Sequence, residues 1–507
     1  MAIEGDSIQF GPWYGGVNYA LAAEDCEPDQ ISSMENCRIG LGGYIEKRDG
    51  SAKYESYDAL GSAPAIFMSA EFRIPGGSTY NVIIAADGNV YYDNGSAWTD
   101  ISGAATISTT SDDHVWDWVR AHDTLVMTNG VNTALKWTGT GDVATITMPS
   151  GVSWAKYVAY WDDRVWLANT DADDDRIWYS DKGTLDTWGS TSYYQLGSPI
   201  TAATPFQNLL TVHTEEGIWT LTPTGNAQVP YQRQPATQQS DQSFGIGGSV
   251  SNRAVISLPD NRQLFILPGG IYQWTGGEEI EKISQALDEG YWPNLTTSRL
   301  HMAHAIYYPV ENEVWFWLPY AEATTMNHVI VYNTQLESWY GPYTGIPRNC
   351  SCIVDNKPHA GGYDGIFYDH APSVYTDDGT AISAYFTTSG QAPEGGDVRV
   401  RWQYGRVYYD NVGAYNVTID QELSGLNGAS NVLQTLAGGV ALGSFTLDQD
   451  ALASIRMQSD DIELEGYDPH STLNFANTGS GEYFRIRRVY LQYKSIGRKR
   501  KAAKESD

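Results

Sequence analysis

The chain has 507 residues and a formal net charge of −30 at pH 7. This length exceeds one ordinary hydrophobic core and predicts two or three domains. With 51 glycines, 17 tryptophans and 34 tyrosines between short β-branched runs, the composition favours a nearly all-β protein. No stretch approaches the ~18 apolar residues of a membrane span, and residues 1–20 lack the basic and apolar regions of a secretory signal. We therefore expect a soluble protein, made in the cytosol, with no membrane-spanning segment.

Residues 1–60 are predicted to form an N-terminal lead-in and the start of a ring. They hold two glycine-bounded strands, at residues 36–39 and 44–50. Helical periodicity occurs at residues 29–37, for a turn or two, and more weakly at residues 280–287. The four cysteines of the chain form two distant pairs, which is too few for a disulfide scaffold, so free thiols are expected.

Residues 61–379 repeat one short phrase, in which a glycine-led turn is followed by a strand rich in aromatic residues. Its clearest glycines, Gly88, Gly217, Gly270 and Gly365, are 129, 53 and 95 residues apart. These gaps correspond to about three, one and two units of the ~40–50 residues that form a propeller blade. The pattern predicts a β-propeller of six or seven blades.

One acidic cluster within the predicted propeller suits a calcium ion, because alternating carboxylates are ligands for hard cations. Its candidate ligands are Asp171, Asp173 and Asp175. Arg176 stands where a calcium loop would have its glycine, and Lys182 where it would have its last glutamate. An acidic surface loop is therefore the favoured interpretation.

The sequence carries none of the motifs that usually mark catalysis. It has no Gly-x-Ser-x-Gly, no His-Glu-x-x-His and no phosphate-binding glycine loop with its lysine. We predict no catalytic residue and no cofactor. Two alternatives stay open: a receptor- or polysaccharide-binding protein, and a propeller glycosidase, which would need a carboxylate pair across a sugar.

After residue 379 the phrase stops and the strands lengthen. Residues 380–495 are predicted to form an antiparallel β-sandwich. Basic and apolar residues alternate at residues 399–402 and 485–487, so one strand face should point to a core and the other to water or a partner.

Residues 496–507 form a basic tail on an otherwise acidic chain. Between residues 483 and 504 there are nine basic residues and no acidic one, and the rest of the chain holds 22 basic against 61 acidic residues. Such a tail can bind an acidic partner or phosphate, and the alternative is a solvated, disordered end. The candidate partner-binding residues are Arg498, Lys499, Arg500 and Lys501.

Two sets of residues, one at each end of the chain, flank the propeller phrase. They are Gly15, Gly16, Asn18, Pro28, residues 36–39 and 44–50 at the start, and residues 484–493 and 497–500 at the end. In this order they resemble the two ends of bacteriophage tail nozzle proteins, also called tail hub proteins.

This resemblance implies a virion structural protein of a short-tailed phage, assembled in the host cytoplasm. It implies a homohexameric ring below the portal and the adaptor, or head–tail connector, proteins. It also implies that the ring carries tail fibres, spikes or a needle. Double-stranded DNA would pass through the lumen during ejection without specific binding, and an acidic wall suits that role because it repels phosphates.

Overall fold

The computed structural model describes residues 6–108, 115–236, 247–277, 279–396, 398–424, 426–435 and 457–496. These residues form a seven-bladed β-propeller and a two-sheet β-sandwich, which is antiparallel except for one short parallel pair near the start of the chain. The predicted fold class is therefore confirmed, and the number of blades is seven.

The first five strands belong to the sandwich and not to the ring. The sixth strand enters the propeller. These strands are β1 (Asp6–Phe10), β2 (Gly16–Val17), β3 (Gln30–Glu35), β4 (Cys37–Ile39), β5 (Ile45–Lys47) and β6 (Gly50–Lys53).

Blades 1 to 6 are four-stranded antiparallel sheets, each built from four consecutive strands. Blade 1 contains β7 (Ile66–Arg73), β8 (Thr79–Ala85), β9 (Val90–Asp93) and β10 (Trp98–Asp100). Blade 2 contains β11 (Asp117–Ala121), β12 (Thr124–Thr128), β13 (Leu135–Trp137) and β14 (Ala144–Thr145). Blade 3 contains β15 (Ala155–Trp161), β16 (Arg164–Thr170), β17 (Arg176–Tyr179) and β18 (Tyr193–Gln195).

The next three blades repeat this order. Blade 4 contains β19 (Ile200–Phe206), β20 (Leu209–Thr214), β21 (Gly217–Asn226) and β22 (Val229–Pro235). Blade 5 contains β23 (Ile256–Ser257), β24 (Gln263–Leu267), β25 (Gly270–Trp274) and β26 (Ile280–Lys282). Blade 6 contains β27 (His304–Tyr308), β28 (Glu313–Leu318), β29 (His328–Asn333) and β30 (Ser338–Tyr343).

Blade 7 closes the ring because it combines a strand that precedes blade 1 with three strands that follow blade 6. It consists of β31 (Arg348–Val354), β32 (Lys357–Gly362), β33 (Phe367–Ala371) and, as its outer strand, β6. A short hairpin of β34 (Thr376–Asp377) and β35 (Thr380–Ala381) continues this sheet beyond β6. A Cβ atom on Gly50 would lie 2.0 Å from the carbonyl oxygen of Thr376, so only glycine allows this close approach.

The repeated glycine phrase marks the turn between the second and third strands of a blade. Gly88, Gly217, Gly270 and Gly365 lie at this position in blades 1, 4, 5 and 7. The predicted offsets of three, one and two blades are thus confirmed. Gly88 and Gly365 have φ of +88° and +76°, the left-handed region that glycine adopts without strain.

The sandwich combines the first strands of the chain with the last. One sheet has the order β4-β5-β43-β37-β40, with β1 on β43 and β41 on β37, and the other has the order β2-β3-β36-β42-β38-β39. The later strands are β36 (Ala384–Thr388), β37 (Val400–Asp410), β38 (Asn416–Leu423), β39 (Leu426–Gln434), β40 (Met457–Glu463), β41 (Tyr467–Asp468), β42 (Thr472–Asn477) and β43 (Arg485–Ser495).

The strand pairing differs from the predicted division of the chain into domains. Residues 1–60 were expected as a lead-in separate from residues 380–495, but β1 to β5 are integral strands of the sandwich sheets. Residues 29–37 contain strand β3 where a short helix was expected, because pairing with β36 outweighs local propensity. The alternation at residues 399–402 is confirmed, since Val400 and Trp402 are buried and Arg401 is exposed.

The described helices are all short 3₁₀ turns, and none is long and apolar enough to cross a membrane. Residues 280–287 contribute β26 and one such turn. The helices are η1 (Ala23–Asp25), η2 (Tyr54–Ser56), η3 (Asn252–Ala254), η4 (Gln285–Leu287), η5 (Trp292–Asn294) and η6 (Thr297–Met302).

Aromatic side chains fill the spaces between blades. Trp137 of blade 2 packs against Phe72, Tyr80 and Tyr92 of blade 1, with ring centroids 5.1 to 5.8 Å apart. Such pairs stabilise a core beyond the apolar area that they bury. The aromatic residues of the repeated phrase therefore serve mainly to pack neighbouring blades.

Candidate functional site

The three candidate calcium ligands lie in the turn between β16 and β17 of blade 3, but their carboxylates do not converge. Each carboxylate already has a partner within the protein. The partners are the backbone N–H of Ser153 for Asp171 (2.9 Å), the guanidinium of Arg176 for Asp173 (2.7 Å) and the backbone N–H of Gly197 for Asp175 (3.2 Å). In the described part of the chain, no group of three acidic, histidine or cysteine side chains could hold a metal ion.

The second predicted site, the basic tail, lies outside the described residues. Arg498, Lys499, Arg500 and Lys501 therefore stay a prediction from sequence. The four cysteines, by contrast, are all described and are buried free thiols. Burial raises the pKa of the Cys26 thiol to about 11, which disfavours the reactive thiolate.

The junction between the two domains is formed by residues that carry the family resemblance. Arg48, which is 2% exposed, binds Asp377 with two nitrogens, at 3.0 Å and 2.5 Å. Its Nε donates to Asn36 Oδ1 at 2.7 Å, and a terminal nitrogen donates to the carbonyl of Thr344 at 3.0 Å. This one guanidinium joins the sandwich, blade 7 and the segment after blade 6.

Asn36 also takes part in this junction, because its side-chain amide both accepts and donates hydrogen bonds. Its Oδ1 also accepts the backbone N–H of Thr344 at 2.8 Å, and its Nδ2 donates to the carbonyl of Ser383 at 2.8 Å. Asn36 has φ of +52°, in the left-handed region that asparagine tolerates better than most residues. Its place between β3 and β4 is thus fixed by backbone geometry and by hydrogen bonding.

Arg38 makes a second link, this time to blade 6. It pairs with Glu311 at 2.6 Å and with Glu313 at 2.9 Å, and the side chain of Glu313 is 1% exposed. Burial lowers the pKa of Arg38, but Glu313, two tyrosines and Glu46 together outweigh burial, and the net shift is to well above its ordinary value. Burial also raises the pKa of the neighbouring Asp49 carboxyl.

The C-terminal part of the resemblance lies in the same region of the sandwich. Arg485 pairs with Glu46 at 2.6 Å, and Tyr483 also donates to Glu46. Arg487 donates two hydrogen bonds to the buried carboxylate of Asp410, at 2.5 and 2.8 Å. Buried charges are tolerated when they are paired and hydrogen-bonded, so these contacts fix β5, β37 and β43 to one another.

A close backbone approach brings the sandwich against blade 6. Gly16 has φ of +73°, and a Cβ atom there would lie 2.6 Å from the carbonyl oxygen of Trp339 in β30. Glycine is needed at this position for both reasons. The start of the chain therefore packs directly on the outer strand of this blade.

The propeller encloses a central cavity of about 530 Å³ that is lined by the inner strand region of every blade. Near the start of these strands, side chains link the blades. Asp117 Oδ2 accepts the N–H of Val158 at 2.8 Å, and Asn252 Oδ1 accepts the N–H of Ala203 at 3.0 Å. These contacts join blade 2 to blade 3 and blade 4 to blade 5.

Arg253 makes further contacts of this kind, and we call the linking side chains Asp117, Asn252 and Arg253 the collar. It donates to the carbonyl oxygens of Met302 at 2.7 Å and Asn349 at 3.0 Å, which belong to the segments entering blades 6 and 7. Burial lowers its pKa. Burial also raises the pKa of Asp117 to about 7, although backbone N–H groups that stabilise the carboxylate partly oppose the shift.

Asp117 is one of two carboxylates in the described lining of the cavity, and the other is Glu71. Glu71 accepts the backbone N–H of Asp355 in the turn after β31, at the opposite end of the inner strands from Asp117. The described lining residues therefore do not bring together the carboxylate pair that glycoside hydrolysis usually uses.

Sequence reasoning missed both the collar and the ion pairs of the junction. For the collar a local signal existed, because Asp117 stands between two tryptophans at the start of its strand. For the junction no local signal was available, since Arg48 and Asp377 are 329 residues apart.

No protein-family model matches the sequence, and no curated protein matches it. The chain is similar in fold to solved β-propellers: the WD40 β-propeller domain of Doa1 (9% identity, TM-score 0.42, 64% of this chain and 97% of that chain) and YCF48 bound to D1 peptide (13%, 0.39, 64% and 99%). The computationally designed Ika8 protein is also similar (14%, 0.38, 70% and 98%). The strand pairing of the chain itself defines a β-propeller with seven blades.

Proposed function

We propose that this chain is the nozzle, or hub, of a short phage tail. Six copies form a ring that encloses the DNA channel below the portal and adaptor proteins. The ring carries fibres, spikes or a needle, and it supports DNA retention and ejection as part of the virion. No catalytic step is assigned to it.

The observation that carries this proposal is the position of the resembling residues. Gly16, Asn36 and Arg48 contact the propeller, Gly50 begins its strand β6, and Arg485 anchors the last strand to β5. A resemblance of propeller strands alone would indicate only the propeller fold. Residues that join a propeller to this particular sandwich instead favour a family with the same two-domain arrangement.

The charge of the chain also supports the proposal. A conduit for DNA must not bind its cargo, and acidic surfaces repel phosphates. A ring of six copies would carry a formal charge of six times −30. Double-stranded DNA would therefore pass without being held by the wall.

Electron microscopy of the purified full chain in negative stain tests the proposal directly. We expect particles with six-fold symmetry and a central pore. A reconstruction with a pore lined by lysine and arginine would contradict the proposed conduit. Release of oligosaccharide from host capsule or lipopolysaccharide would instead favour the glycosidase alternative.

The basic tail gives a second test. If Arg498, Lys499, Arg500 and Lys501 bind an acidic neighbour in the tail, deleting residues 498–507 should weaken assembly. The difference from the full chain should shrink as salt is raised, since salt screens the attraction. Unchanged assembly at low salt would contradict this role.

A further inference from the structure

Blade 4 carries a β-ribbon that the other blades lack. Its last two strands, β21 and β22, have ten and seven residues, whereas the outermost strands of the other blades have two to six. Every residue from 222 to 229 is exposed. We define residues 222–230 as the ribbon.

The ribbon has a defined conformation. At its base, Tyr231 is 1% exposed, packs 4.9 Å from Trp166 and donates to Asp162 at 2.6 Å. At its tip, Thr224 donates to the carbonyl of Val229, and Asn226 Oδ1 accepts the N–H of residue 228 at 2.9 Å. A two-stranded hairpin with no packed face is only marginally stable in water, so this one is suited to gaining stability from a surface that covers it.

The ribbon lies in a sector of the chain that is almost free of charge. Residues 187–232 include two charged residues, Glu215 and Glu216, although the composition of the chain, 92 charged residues in 507, would give about eight in a segment of this length. Both glutamates lie in the turn before β21, at the other end of that strand from the tip. At about 3.3 Å per residue, they are roughly 30 Å from it.

The outer wall of blade 3 continues this sector, since Tyr194 of β18 donates to the carbonyl of Tyr231 at 2.9 Å. Charged side chains border the sector at the base of the ribbon, where Arg233 donates to the carbonyl of Gln195. We call residues 187–195 and 217–232 the uncharged sector. Val229, which is 54% exposed, is its most exposed large apolar side chain.

We infer that the ribbon is a self-association arm whose partner is a second copy of this chain. Copies of a chain of net charge −30 repel each other, so contact is least unfavourable where the surface carries no charge. Pro230 in the edge strand β22 cannot donate a backbone hydrogen bond, which opposes open-ended sheet extension and favours contact through side chains. This inference deepens the proposed ring and rests on it.

The test compares the full chain with a variant in which Asn-Gly replaces residues 224–230, so that the pair between Pro223 and Tyr231 can close the hairpin. In the matched control, Asn-Gly replaces residues 94–97, the corresponding turn of blade 1 between Asp93 and Trp98. Sedimentation velocity over a range of concentrations gives the association constants. We expect association of the shortened variant to be at least tenfold weaker and that of the control to be unchanged.

A second variant covers the case in which the shortened ribbon fails to fold. The double substitution Ala227→Asp and Val229→Asp adds charge to exposed positions and should also weaken association at least tenfold, with unchanged circular dichroism. Salt distinguishes this contact from one made by the basic tail. Added salt screens the repulsion between acidic copies, so association through the uncharged ribbon should become stronger. Salt also screens the attraction between the basic tail and an acidic neighbour, so association through the tail should become weaker.

The outcomes separate the inference from the proposed function. A full chain that stays monomeric at all concentrations contradicts the ring and the arm together. A full chain that forms the ring while both ribbon variants assemble equally well contradicts the arm alone.

Crosslinking identifies the partner. Because the native cysteines are buried, Ala227→Cys provides an exposed thiol for a benzophenone label. In a mixture of isotopically light and heavy chains, crosslinks between the two are expected. Crosslinks confined to single chains would overturn the inference.

Discussion

Trp137 inside the propeller and Arg48 at the domain junction are each 2% exposed, but different forces hold them. Trp137 packs against three aromatic rings of the preceding blade. Arg48 lies among polar groups and binds the carboxylate of Asp377. Trp137 thus makes an apolar contact between blades that are neighbours in sequence. Arg48 makes a charged contact between distant segments, beside an apolar cluster that spans the sandwich and blade 6.

The largest effect is expected from Trp137→Ala. Removing this side chain leaves a cavity between blades 1 and 2 and should lower the free energy of unfolding by about 4 kcal/mol. Urea denaturation followed by circular dichroism measures the loss. Trp137→Phe, which keeps an aromatic ring, should lose less than half as much. A loss below about 1 kcal/mol for the alanine variant would show that the blades do not depend on this packing.

Arg48→Met should cost about 3 kcal/mol, because it removes the charged partner of the mostly buried Asp377 carboxylate and one hydrogen bond of Asn36. The same denaturation experiment measures the loss. The matched control is Arg406→Met. Its pair with Asp461 is exposed, so that loss should stay below about 1 kcal/mol. Equal losses in the two variants would remove the distinction between junction and surface ion pairs.

His213 in blade 4 tests the propeller interior through pH. Burial lowers its pKa to about 4, below the ~6.5 of an unfolded chain, so the fold favours the neutral ring. Its contribution to stability is complete above about pH 6.5 and is lost as pH falls towards 4. Between pH 7 and pH 5 this group should cost roughly 1–2 kcal/mol.

The variant His213→Asn should remove that part of the pH dependence. Urea midpoints at pH 7, 6 and 5 provide the measurement, and His122→Asn, at an exposed position, is the control. If both variants kept the full acid sensitivity of the parent chain, His213 would not be its source.

The smallest effect is expected from calcium. Because Asp171, Asp173 and Asp175 bind separate partners, a few millimolar calcium should change the melting temperature by less than about 1 °C. Differential scanning fluorimetry with and without a chelator is sufficient. If calcium raised the melting temperature by several degrees and Asp173→Asn abolished the rise, the acidic loop would be a calcium site after all.

The sequence by itself determined the propeller and the relative positions of four of its blades. Each hairpin connects strands that are close in the chain, so Gly88, Gly217, Gly270 and Gly365 recur with the period of the structure that they build. Local turn chemistry and strand alternation are properties that a single segment expresses without its tertiary partners. The alternating residues 399–402 are predictable for the same reason.

Only the tertiary structure decided how the ends of the chain are used. Strands β1 to β5 belong to the sandwich, and β6 is the outer strand of blade 7. Arg48 binds the carboxylate of Asp377, which is 329 residues away in the sequence. From sequence alone an arginine is expected at the surface. Its burial and its partner cannot be predicted locally, because both depend on packing between distant segments. The collar around Asp117 and the exposure of the ribbon were likewise set by the closed ring.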